Sequence, residues 1–208
     1  MVKVEGPMMS LGASGKLGGA LVFAKWKGRP YVRTLVRPAN PKSGGQIGVR
    51  AMFKFLSQKW AGLTDGNRAT WEDYADQLVV SPFNAYVSRN QFRYRDFTPP
   101  TKEDPAAQAA TPDAAVVIAL TLGVRSIAVE ITPSAYVADW GFAVFRALSA
   151  TVVPAFDNLI GVVIQDGANA VTWLDTPLEP DAYYYMAKGF TADGLWSPDS
   201  NEETETVV

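Results

Sequence analysis

Beyond residue 115 the chain is a succession of apolar runs five to eight residues long, set between turn signals. The runs cover 116–122, 126–131, 141–147, 159–164, 170–174 and 183–190, and Asp166-Gly167 and Asp193-Gly194 stand between runs as turns. Runs of that length suit strands and fall short of the ten or more residues a core helix needs. Short strands at regular spacing, each closed by a turn, predict an antiparallel β-sandwich. We place it over 114–208. The acidic stretch 197–208 reads as a last edge strand or as a tail given to a neighbour by strand addition.

Upstream the period changes. Residues 20–26 and 31–36 are β-rich and flank Lys27-Gly28, which predicts a hairpin. Its second strand sets Tyr31, Arg33 and Leu35 on one face and Val32, Thr34 and Val36 on the other. Glycines at 12, 15, 18 and 19 predict a loop before the hairpin, and Pro38-Ala-Asn-Pro41 ends it. A helix is predicted over about 44–62, with Val49, Met52, Phe53, Leu56 and Trp60 as its apolar stripe. A second, over 67–79, carries Trp71, Tyr74, Ala75 and Leu78 and is capped by Thr64 or Asp65. A third, over 85–95, is capped by Asn84 and carries Tyr86, Val87, Asn90 and Tyr94. Residues 98–113 are rich in Pro and Ala and read as a semi-extended linker. The expected fold is therefore an α+β N-terminal module over 1–97, with a hairpin and about three short helices, then the linker, then the all-β sandwich.

Charge divides the chain in the same sense. Residues 1–64 hold eleven Lys/Arg and one acid, a net of +10, whereas residues 105–208 hold three bases and thirteen acids, a net of −10. Such polarity predicts two surfaces with different partners, or head-to-tail contact between copies. The bases cluster at the hairpin. Lys16, Lys25, Trp26, Lys27, Arg29, Tyr31, Arg33 and Arg37 form a candidate protein interface, since Arg, Trp and Tyr are favoured in binding hot spots. The same mixture of cations and rings suits nucleic acid.

The sequence argues against chemistry. His and Cys are both absent, which removes the usual general base, the thiol nucleophile and the commonest metal ligands. Gly12-x-x-Gly15-Lys16 falls short of a phosphate loop, because Ser10 and Leu17 replace the required Gly and Ser/Thr. Asp139, Asp157, Asp166, Asp175, Asp181 and Asp193 fall mostly in expected loops, without the Asp-x-Asp-x-Asp spacing of a calcium loop. We expect no enzyme activity, no cofactor and no metal. No apolar run reaches the length of a membrane span, and the opening residues lack the apolar core of a signal peptide.

Two resemblances refine this. Residues 172–198, with Leu178, Pro180 and Tyr184 in a Leu-x-Pro-x-x-x-Tyr pattern and a Trp196-Ser-Pro ending, resemble the second half of a fibronectin type III domain. That implies a corner tyrosine at Tyr184 and a core tryptophan near Trp140. The first run, 116–120, lacks the family's proline signature. Ser14–Gly19, Trp26–Arg33, Pro38–Pro41, Gln46, Arg50, Trp60–Thr64, Arg68, Trp71 and Tyr74-Ala75 resemble a module of tailed-phage and prophage structural proteins. Residues 57–77 also resemble two helices of an HMG box, but the box's first helix has no counterpart, and a helix–helix core explains Trp60, Leu63, Trp71 and Tyr74. The resemblances imply a virion structural protein, with head decoration favoured over neck or tail. Its implied partners are other virion proteins, with many copies or a homo-oligomer on a symmetric lattice. A nucleic-acid-binding protein and a carbohydrate-binding or adhesion module are the alternatives.

Overall fold

The computed structural model describes residues 2–3, 14–37, 40, 43–109, 116–133 and 140–208. Expectations for Ser10, Gly12, Pro38, Ala39, Pro41, Asp139 and the linker end 110–113 lie outside the described residues. The chain forms two compact units, Met1–Pro41 and Lys42–Val208.

The first unit is an antiparallel sheet. Strands β1 (Val2–Lys3), β2 (Gly15–Leu17), β3 (Leu21–Trp26) and β4 (Arg29–Thr34) lie in the order β1-β4-β3-β2. The expected hairpin is β3–β4. Part of the expected glycine loop is instead β2, which pairs Lys16 with Val22 and Leu17 with Leu21.

The second unit contains three helices and two further antiparallel sheets. Helices α1 (Gly44–Trp60), α2 (Asp65–Leu78) and α3 (Pro82–Arg95) are followed by β5 (Val117–Gly123), β6 (Ser126–Thr132), β7 (Gly141–Ala147), β8 (Leu159–Ile164), β9 (Val171–Asp175), β10 (Asp181–Phe190) and β11 (Glu203–Val207). One sheet runs β5-β6-β9 and the other β11-β10-β7-β8. The 197–208 stretch thus supplies an edge strand, with Asp181 opposite Val207 and Tyr185 opposite Glu203.

The two sheets face each other across a core of Val116, Ile118, Ile127, Val129 and Ile131 against Phe142, Val144, Ile160, Tyr185 and Ala187. The other face of the four-stranded sheet is covered by the helices. Ala143, Phe145, Leu159 and Phe190 pack there with Met52, Phe55, Leu56 and Trp71. Strand β7 is therefore buried on both faces, and its unbroken apolar run Gly-Phe-Ala-Val-Phe is the sequence form of that position. Gly48 lets α1 approach closely, since a Cβ there would stand 2.9 Å from the Leu159 carbonyl oxygen.

This packing corrects the expected boundary at 98–113. Over 98–109 the chain is strapped to both layers. Buried Asn90 donates to the Thr101 carbonyl at 3.1 Å and accepts from the Thr101 N–H at 2.7 Å. Trp71 Nε1 donates to the Lys102 carbonyl, the Lys102 N–H to the Ala192 carbonyl, and Trp196 Nε1 to the Phe97 carbonyl. The apolar helix faces need the sheet to cover them, so the division falls between Pro41 and Lys42.

Local differences have equally simple causes. Ser81 caps α3, not Asn84: its hydroxyl accepts from the Asn84 N–H, and Pro82 occupies the first helical position. Thr64 caps α2 as expected, accepting from the Asn67 N–H. Phe53 is 49% exposed while Phe55 is buried, because α1 turns Phe55 towards Trp140 and Phe190. The bond expected of Tyr184 is made by Tyr183, whose hydroxyl donates to the Glu179 carbonyl at 2.9 Å. Trp140 is buried on the helix side, edge-on to Phe55, and not between the sheets.

Candidate functional site

The candidate face is built by the register of the first sheet. Residues paired across antiparallel strands project to the same side, and neighbours along a strand alternate. Trp26 pairs with Arg29, Ala24 with Tyr31, and Val22 with Arg33. Lys16 joins them by pairing with Val22. One side therefore carries Lys16, Trp26, Arg29, Tyr31 and Arg33. The other carries Leu17, Leu21, Phe23, Lys25, Pro30, Val32 and Thr34.

The turn makes that arrangement possible. Lys27 and Gly28 have φ of 47° and 80°. Two successive left-handed residues are the mark of a two-residue hairpin turn whose twist matches its strands. Trp26 stands 65% exposed at the sheet's end, and the Lys27 ammonium lies 4.9 Å from its ring centroid. The Leu35 N–H donates to the Ala20 carbonyl at 2.7 Å and ties the far end of the hairpin.

Of the eight candidate residues, the register brings five to one face. Lys25 is on the opposite face, Lys27 is in the turn, and Arg37 is exposed beyond the end of β4. Between Ser14 and Arg37 there are six cations and no carboxylate. The face can thus donate hydrogen bonds to anions and stack rings. Sequence reasoning missed Val22 and Ala24, which leave low ground between the cations. Their signal was available in the alternation of β3, but the pairing of β2 with β3 was not.

Four acids of the second unit have structural partners. Asp175 accepts from Arg146 Nη1 at 2.6 Å and from the buried Tyr185 hydroxyl at 2.9 Å. Burial, with the Asp175 charge beside it, holds the Tyr185 phenol far above its ordinary range. Asp193 pairs with Lys102 at 2.7 Å, and Asp199 with Lys188. Asp166 accepts from the Asn169 side chain at a turn. Among the described residues no group of three or more Asp/Glu could hold a metal ion, and no helix is long and apolar enough to cross a membrane.

The sequence matches no protein-family profile and no curated protein. Among solved structures the chain is similar to the pectate lyase PelI of Erwinia chrysanthemi in complex with tetragalacturonic acid, at 18% identity and a TM-score of 0.33, over 44% of this chain and 27% of that one. A structure described as a myokine matches at 18% identity and TM-score 0.36, over 47% of this chain and all of that one. A β-1,2-glucanase from Parabacteroides distasonis matches at 16% identity and TM-score 0.37, over 48% of this chain and 14% of that one. The chain spans about a quarter of the pectate lyase and a smaller share of the glucanase. Likenesses this slight carry no functional argument.

Proposed function

We propose that the chain is a non-enzymatic structural component of a tailed-phage particle, docked through the basic face of its first sheet. The observation that carries the reading is the register that gathers Lys16, Trp26, Arg29, Tyr31 and Arg33 on one side without a carboxylate. Complementary potentials favour an acidic protein surface as partner. The two sheets of the second unit, over 114–208, are read as a fibronectin type III-like sandwich. Its three-plus-four strand arrangement and the Tyr183–Glu179 bond support that reading. Head decoration is favoured over neck or tail, and many copies on a symmetric lattice would multiply a modest contact.

Charge reversal tests it. Lys16→Glu, Arg29→Glu and Arg33→Glu together should abolish incorporation into particles while leaving the circular dichroism spectrum unchanged. Lys25→Glu, on the opposite face, should incorporate normally. Incorporation of the triple variant at the native level would refute the reading.

Trp26 and Tyr31 among the cations favour one second reading, a single-stranded nucleic acid on the same face. Micromolar binding to non-specific DNA, falling steeply with salt, would select it over protein docking.

A further inference from the structure

The second unit has a cleft that its acidic character does not lead one to expect. It opens between α1, the end of β7 and the end of β9, with a volume of about 370 Å³, within the range of small-ligand sites. Its lining includes Arg50 and Lys54 from α1, Arg146 from β7, and Trp173, Asp175 and Thr176 from β9 and its end. Arg50 and Lys54 are four residues apart, which places both on one helix face. Three cations and one acid therefore line the cleft, Arg50 and Lys54 from the basic first 64 residues and Arg146 and Asp175 from the acidic 105–208 stretch.

The wall and floor are built, not incidental. The Trp173 ring lies against the β8 backbone at Gly161, where a Cβ would come within 2.7 Å of its Nε1. Arg146 is held between Asp175 and the Tyr183 ring, 5.3 Å from the ring centroid. Among the described residues both bonds to Asp175 fall on Oδ2, so Oδ1 is the atom a ligand hydroxyl would meet. A phosphate would bring two negative charges against that carboxylate. A sugar would bring hydroxyl donors to it and to Thr176, a ring face to Trp173, and, where acidic, a single carboxylate to Lys54.

We propose that this cleft binds an acidic sugar residue, of the uronic or sialic acid type. The carboxylate sits at Lys54, the ring packs on Trp173, and the hydroxyls donate to Asp175. The site is independent of the basic sheet and does not rest on the docking proposal.

Isothermal titration of the full chain tests it, with glucuronate oligosaccharides and sialyllactose as probes, and lactose and inorganic phosphate as counter-probes. Binding of at least one acidic probe at submillimolar affinity is expected. Trp173→Ala and Lys54→Glu should each weaken it about tenfold or more, roughly 1.4 kcal/mol. Lys54 is exposed, so its reversal separates loss of the site from loss of the fold. Three results would overturn the proposal: no binding of any acidic probe at 10 mM (about 2.7 kcal/mol of affinity), equal binding of lactose, or binding that phosphate displaces and Lys54→Glu leaves intact. The Lys16, Arg29 and Arg33 reversals should leave sugar affinity unchanged, which keeps this test apart from the docking test.

Discussion

Asn90→Ala should destabilise the protein far more than a polar-to-alanine change on a helix normally does. Asn90 is fully buried on α3, and its amide satisfies both backbone groups of Thr101. Thr101 is itself only 1% exposed, so water cannot replace the lost partners without opening the strap. Leaving a buried donor or acceptor unsatisfied costs about 1–3 kcal/mol, so the two together cost about 2–6 kcal/mol. For a unit of this size each kcal/mol lowers Tm by roughly 2–4 °C, giving a drop of about 4–24 °C. Differential scanning calorimetry measures it, with Asn84→Ala, an exposed residue on the same helix, expected to stay within about 0.5 kcal/mol of the parent. Helical circular dichroism followed in parallel should be lost in the same transition as the sandwich. If Asn90→Ala melts like the parent, or if the helical signal disappears well before the sandwich unfolds, then 98–109 is a loose linker and the packing argument fails.

Tyr183→Phe should cost about 1 kcal/mol in urea unfolding, the worth of one ordinary hydrogen bond, while Tyr184→Phe should cost little, because the bond to Glu179 belongs to Tyr183. Alkali should unfold the protein through its buried phenols. Burial pushes Tyr86, Tyr94 and Tyr185 above the ordinary tyrosine value of about 10, with Asp157 adding to it at Tyr94 and Asp175 at Tyr185. Their raised folded-state values mean that the stability they contribute is intact below pH ~10 and is lost as pH rises from there, since the unfolded chain ionises first. Urea midpoints between pH 8 and 11 should be flat at first and then fall, and a midpoint that rises above pH 10 would contradict the burial.

Much of the fold was legible because short-range rules set it. The strand runs at 126–131, 141–147 and 159–164 lie within a residue of β6, β7 and β8, since alternation and turn residues act locally. The hairpin was legible for the same reason: Lys27-Gly28 permits little besides a tight turn. The cap of α3 was misread at Asn84 because Ser81-Pro82 reads equally as a breaker and as a start, and only the helix direction decides.

What the sequence by itself determined was the kind of each segment and the separation of charge along the chain. The tertiary structure alone decided which faces meet. Phe142 and Phe145 are the same residue type on one strand, yet one faces the second sheet and the other the helices. The stretch 98–109 has a linker's composition but is fixed by buried partners 11 and 31 residues away in sequence. Likewise Arg50, Lys54 and Trp173 carry no shared motif and meet only because α1 packs along β8, beside β9. Periodicity records how a residue sits on its own element, whereas burial depends on a partner element whose approach no local pattern encodes.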